Sequence, residues 1–163
     1  MASIWVYPGQ GVQRSNMLHD LPQSALVKEH LERASDALKE DVLMLDSSAA
    51  LQSTRSVQLC LLISGVVSSA LLTAEDLKPD YVAGLSIGAW SAAVVAGVLA
   101  YEDAIRLVAY RGELMQNAYP IGYGMTALIG TDRATVEAWV KQIYEITPAV
   151  YVANINEIGR AHV

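Results

Sequence analysis

Tyr81-Val82-Ala83-Gly84-Leu85-Ser86-Ile87-Gly88-Ala89-Trp90 is the stretch on which the fold turns. A short apolar run, Tyr81-Val82-Ala83, meets Gly84-Leu85-Ser86-Ile87-Gly88, and a long helix-forming run over residues 90–99 follows. Strand, tight turn and helix in that order make Gly-x-Ser-x-Gly a candidate nucleophile elbow. In such an elbow the serine occupies a strained turn, its hydroxyl stands clear of the sheet, and the flanking glycines remove side chains that would collide there. The helix behind it aims free backbone N–H groups at the same space, where a developing oxyanion is favoured. The alternative for Ser86 is an ordinary helix N-cap, with Gly88 present only for close helix–strand packing.

Upstream, residues 3–7 read as a short strand that breaks at Pro8-Gly9-Gln10-Gly11, where proline and two glycines demand a tight loop. A helix is expected over 24–39, with Val27, Leu31, Ala34 and Leu38 at helical spacing. Ser53 or Thr54 can cap an apolar helix ending near Thr73, and Pro79-Asp80 then resets the chain into the strand leading to Ser86. Downstream, helices are expected over 87–100 and from Glu102 to Asn117, separated only by Tyr101. Beyond Pro120, Gly122 and Gly124 make a hinge-like loop, followed by a strand over 125–129, a helix over 133–144 and a strand over 149–153. Strands separated by helices imply an α/β fold with a mainly parallel sheet, divided into residues 1–122 and a smaller part, 123–163.

The chain has 163 residues, 53% hydrophobic and 17% charged, which calls for a sizeable buried core. Its longest apolar stretch, 57–72, is interrupted by Gln58, Ser64, Ser68 and Ser69 and is shorter than the roughly 20 residues a bilayer needs, so a core helix is expected rather than a membrane span. Met1-Ala2-Ser3-Ile4-Trp5 has no basic or long apolar segment of a secretory signal. With Cys60 as the single cysteine, no disulfide forms within the chain, and a reducing cytoplasm is the expected setting. A net charge of −6 with scattered Lys and Arg argues against a nucleic-acid partner.

Arg111 carries the next inference. Projected at 100° per residue, Tyr101, Ala104, Ile105, Val108, Gly112 and Met115 fall within about 60° of one line and form the buried stripe of their helix. Glu102, Asp103, Arg106 and Glu113 lie on the far side, whereas Arg111 sits at the edge of the stripe and faces inward. A guanidinium there needs a carboxylate or phosphate, and its planar fork suits bidentate carboxylate binding. The alternatives are an internal Asp or Glu partner, or snorkelling to the surface. Gln10 lies in the glycine loop directly after the first strand, at the same carboxyl edge as Ser86, so its N–H can join that of Ile87 as an oxyanion donor; an ordinary turn is the alternative. A serine nucleophile also needs a base, but none of His19, His30 and His162 is well placed by sequence.

With Pro8-Gly9-Gln10-Gly11, the Gly84 to Gly88 elbow, Tyr110-Arg111-Gly112-Glu113-Leu114-Met115-Gln116, Met125-Thr126-Ala127-Leu128-Ile129-Gly130 and Ala153-Asn154-Ile155-Asn156 in this order, the chain resembles the malonyl-CoA:acyl carrier protein acyltransferases. Within that family it is similar to the transacylase (epsilon) subunit of malonate decarboxylase, through Ala83 to Ala89 and Leu51-Gln52-Ser53-Thr54-Arg55-Ser56-Val57-Gln58-Leu59-Cys60. The resemblance implies a hydrolase-like core over 1–122 and the start of a ferredoxin-like subdomain over 123–163. It implies that Ser86 attacks a malonyl thioester, that the N–H groups of Gln10 and Ile87 hold the oxyanion, and that Arg111 clamps the free carboxylate. The malonyl group would pass from coenzyme A to the serine and on to an acyl carrier protein thiol, with no bound cofactor and no metal.

Leu85 stands where fatty-acid-synthesis members usually have histidine, and Arg55 near where many have glutamine. The family's general base is a histidine farther along than this chain runs, so a truncated chain is expected, an N-terminal portion that bears the nucleophile, the oxyanion donors and the carboxylate clamp but no base of its own. Two other functions remain open at this point: a serine esterase or thioesterase, which has no need of Arg111, and a non-catalytic fragment that binds partners or self-associates through uncovered core surface.

Overall fold

The computed structural model describes residues 2–118, 124–146, 150–153 and 155. Two strands, β1 (Ile4–Tyr7) and β2 (Tyr81–Gly84), pair in parallel with Ile4 opposite Tyr81 and Tyr7 opposite Gly84. Because strand side chains alternate, Trp5, Tyr7, Val82 and Gly84 share one face and Ile4, Val6, Tyr81 and Ala83 the other. The first face is covered, and Tyr7 is buried with its hydroxyl 2.7 Å from Ser69 Oγ. The second is open: Val6 is 71% and Tyr81 65% exposed.

Between the strands run α1 (Ala25–Leu38), two short 3-10 segments, Val42–Asp46 and Ala50–Gln52, and α2 (Thr54–Ala74). Ser24 caps α1 by accepting from the Val27 N–H at 3.2 Å, and Ser53 caps α2 by accepting from the Ser56 N–H. By length and composition α2 could cross a membrane. Its Val57, Leu59, Cys60, Leu62, Ile63, Val66 and Val67 are instead buried in one cluster with Val27 and Ala34 of α1, which is the position of a core helix. Burial pushes the Cys60 thiol up to about 12, so it is a protonated packing group rather than a nucleophile.

After β2 come α3 (Gly88–Val95) and α4 (Tyr101–Ala118). The helix expected over 87–100 stops early because Gly97 turns into the left-handed region at φ +73° and its N–H closes onto the Val94 carbonyl. Tyr101 is not a spacer but the first residue of α4, buried in the core. Gly112 lets α4 approach α2, since a Cβ there would lie 2.5 Å from Arg55 Cα.

The chain divides into two units, Met1–Pro120, just described, and Ile121–Val163. In the second, α5 (Arg133–Ile146) begins where Asp132 accepts from the Thr135 N–H at 2.9 Å. Two expectations are corrected here: residues 125–129 are not a strand, and neither are 150–153, Ala149 lying outside the described residues. Apolar alternation provides a preference, but a strand also needs a neighbouring backbone in register.

Candidate active site

Ser86 sits at φ +52°, a left-handed conformation that costs a non-glycine residue of order 1–3 kcal/mol and persists only when its surroundings dictate it. They do so from both sides of the turn. The Leu85 N–H donates to the Tyr7 carbonyl at 3.0 Å, and the Ala89 N–H donates to the Ser86 carbonyl at 3.1 Å. A Cβ on Gly84 would stand 2.1 Å from the Gly88 carbonyl carbon, and one on Gly88 would stand 2.2 Å from the Tyr7 oxygen, so both positions require glycine. The N-cap of α3 is Ile87, with no side-chain capping bond, and the Ser86 hydroxyl is left exposed. Helix capping is therefore not the role of this serine.

Arg111 reaches that hydroxyl. One guanidinium nitrogen donates to Ser86 Oγ at 3.1 Å and the other to Gln58 Oε1 at 2.5 Å. Among the described residues no carboxylate pairs with Arg111, so the internal ion pair weighed from sequence is not what holds it. The expected stripe is buried at Tyr101, Ala104, Ile105, Val108 and Gly112. Met115 departs from it and is 45% exposed, its Sδ 3.2 Å from Gln58 Nε2.

Gln10 joins the same chain of contacts, its Oε1 accepting from Gln58 Nε2 at 3.2 Å. Gln10, Gln58, Arg111 and Ser86 are thus linked in series across the loop after β1, α2, α4 and the elbow. Among the described residues neither the Gln10 nor the Ile87 N–H has an acceptor, which leaves both available as donors. Leu85 is 59% exposed and reaches across to the loop after β1, within 3.4 Å of where a Gly9 Cβ would be.

Gln58 was not singled out for the site by sequence. It is fully buried at one end of the α2 apolar run, and a buried amide there has to have partners. Arg55, in contrast, points elsewhere: it pairs with Glu40 at 2.5 Å and has its Nε 3.0 Å from Glu113.

Neither described histidine touches Ser86. The His19 ring Nδ1 is 2.9 Å from Asp46 Oδ1, and His30 packs on the Tyr101 ring with centroids 5.7 Å apart. Asp46 is 1% exposed; burial alone would raise its pKa, but hydrogen bonds from the His19 ring and from the Leu18 and His19 N–H groups hold it below the usual 3.8. His162 lies outside the described residues. Among the described residues there is no cluster of three metal-ligating side chains. Among the described residues, then, an exposed hydroxyl on a strained turn meets a guanidinium without a carboxylate partner, and the Gln10 and Ile87 N–H groups have no acceptor; these are parts that acyl transfer from an anionic substrate would use.

Comparison with known proteins adds the lineage. Residues 4–162 match the acyl transferase domain family. The malonyl CoA-acyl carrier protein transacylase of Staphylococcus aureus (strain COL) is 38% identical over 161 residues, 95% of this chain and 51% of that protein. Among solved structures, the malonyl CoA-acyl carrier protein transacylase of Coxiella burnetii superposes with a TM-score of 0.81 at 36% identity, over 87% of this chain and 47% of that one. A malonyl-transacylase solved in complex with a type II polyketide synthase acyl carrier protein gives a TM-score of 0.78 at 33% identity, over 89% of this chain and 49% of that one. The chain spans about half the length of the curated relatives it matches. An α/β core carrying the serine elbow, matched along nearly all of its length, places this chain in the acyl transferase domain family.

Proposed function

We propose that the protein carrying this chain moves a malonyl group from coenzyme A to an acyl carrier protein thiol through an ester on Ser86. The observation that carries the reading is the Arg111 guanidinium, without a carboxylate partner among the described residues and 3.1 Å from the candidate nucleophile. In a malonyl thioester one methylene separates the reacting carbonyl from the free carboxylate, a span of roughly 2.5 Å from standard carbon–carbon bonds. A cation in contact with the attacking oxygen is at the right reach for that carboxylate.

In the first half-reaction Ser86 Oγ forms a bond to the thioester carbonyl and loses its proton to a base. The tetrahedral oxyanion is held by the Gln10 and Ile87 N–H groups, then collapses and expels the coenzyme A thiolate, which takes up a proton. In the second, the carrier thiol attacks the serine ester and Ser86 recovers its proton. The base is assigned to a histidine outside the half of the family length that this chain spans, because His19 and His30 are engaged elsewhere. A cytoplasmic setting fits a coenzyme A thioester as donor. The transacylase of malonate decarboxylase, with that system's carrier subunit as acceptor, is the finer form of the proposal; it rests on the segments from Ala83 to Ala89 and from Leu51 to Cys60. Residues 123–163 are assigned as the start of a ferredoxin-like subdomain, and self-association of this chain through the open sheet face is part of the same reading.

The discriminating experiment compares Ser86 acylation by malonyl-CoA and acetyl-CoA in the wild type and in Arg111→Ala. A transacylase of this kind loses its malonyl preference in the variant. A plain esterase shows no such preference to lose, and that result rejects the proposal.

A further inference from the structure

The contact between Arg111 and Ser86 has two sides. A carboxylate clamp needs only to lie within reach of the acyl group's free carboxylate, yet one guanidinium N–H of Arg111 is donated to Ser86 Oγ at 3.1 Å. That donation engages a lone pair on the atom that must attack. The second nitrogen is anchored 2.5 Å from Gln58 Oε1, and Gln58 is fully buried and held in turn by Gln10 and Met115. The anchor leaves the nitrogen on Ser86 as the one that can turn toward an incoming anion.

We infer that Arg111 is a substrate-released restraint on the nucleophile: it holds Ser86 through this hydrogen bond and lets go only when a carboxylate on the acyl group takes its N–H. The inference rests on Ser86 being the nucleophile, as proposed above. Selection against neutral acyl groups is then made at the bond-forming step as well as in binding. An acetyl thioester can enter but has nothing to draw the guanidinium off Oγ, whereas a malonyl thioester brings its own release. A hydrogen bond from a charged donor is strong enough that breaking it changes a rate about ten-fold or more. Gln58 is a positioning residue in this scheme, since it keeps the guanidinium close enough to act on both partners.

Formate and an acetyl group together occupy about the space of one malonyl group, and this allows a test with the chain as it exists. The wild type and Arg111→Ala are treated with 4-nitrophenyl acetate, with and without sodium formate at matched ionic strength. Acetylation of Ser86 is followed by intact mass and peptide mapping, with Ser86→Ala as the blank. The inference predicts slow acetylation of the wild type, acceleration of several-fold by formate, and an Arg111→Ala variant that reacts about ten-fold faster without formate and ignores it. The formate arm uses the wild type alone, so it stands even if the variant folds poorly. Wild-type acetylation unchanged or slowed by formate overturns the restraint. So does an Arg111→Ala variant that folds and reacts no faster than wild type, and in both cases Ser86 remains the nucleophile. Absence of any adduct on Ser86 in every sample overturns both readings together.

Discussion

Replacing Gln58 by leucine tests how the site is held. The side chain is fully buried and makes three contacts: Oε1 accepts from Arg111 at 2.5 Å, and Nε2 lies 3.2 Å from both Gln10 Oε1 and Met115 Sδ. Leucine has a similar volume, so the α2 core stays filled, but the guanidinium loses its fixed point. A hydrogen bond to a charged group is worth about 1.5–3 kcal/mol, which converts to roughly 10- to 150-fold in a rate or affinity that depends on it. Stability should move by less than about 1 kcal/mol, because Gln10 is exposed and Arg111 half-buried, and water can replace the missing partner. The assay is the initial rate of malonyl transfer from malonyl-CoA to Ser86, followed by intact mass, beside thermal unfolding of the same sample. The expected result is a malonyl rate lowered at least ten-fold with a nearly unchanged melting temperature. An unchanged rate in a folded variant would refute the idea that Gln58 sets the clamp.

The elbow makes a steric prediction: Gly88→Ala puts a methyl 2.2 Å from the Tyr7 carbonyl and should cost more than about 3 kcal/mol, seen as insolubility or a collapsed melting transition. Asp46 makes one about pH. Its folded pKa lies below the ordinary 3.8, so its contribution is fully present above that value and is lost as pH falls through the lower folded one. Urea unfolding should therefore show a loss between neutral pH and acid that shrinks in Asp46→Asn, whose stability at neutral pH should be about 2 kcal/mol lower; equal pH slopes would contradict the assignment. The open sheet face, with Val6 71% exposed, predicts self-association of this chain by light scattering, relieved in Val6→Lys; a clean wild-type monomer would rule it out.

What could be read from the sequence was what local geometry dictates. The elbow was legible because a left-handed serine between a strand and a helix forces glycine at Gly84 and Gly88, where any Cβ meets backbone. The orientation of Arg111 was legible because helical periodicity fixes which side a residue faces, and the buried set on α4 follows that projection as far as Gly112. Gln58 was not, because its partners Gln10, Arg111 and Met115 come from a loop and from another helix, and only the crossing of α2 with α4 brings them together. The engagement of His19 with Asp46 is likewise a contact between a turn and the end of a short 3-10 segment, with no periodicity to announce it. The strands expected at 125–129 and 149–153 failed for a related reason: alternation is written in a segment, whereas pairing depends on where another segment lies.

The most direct test of the central claim is the intact mass of the folded chain after incubation with malonyl-CoA. The account predicts one malonyl adduct that maps to Ser86 and disappears in Ser86→Ala. A folded sample with no adduct, or an adduct that survives Ser86→Ala, would contradict it.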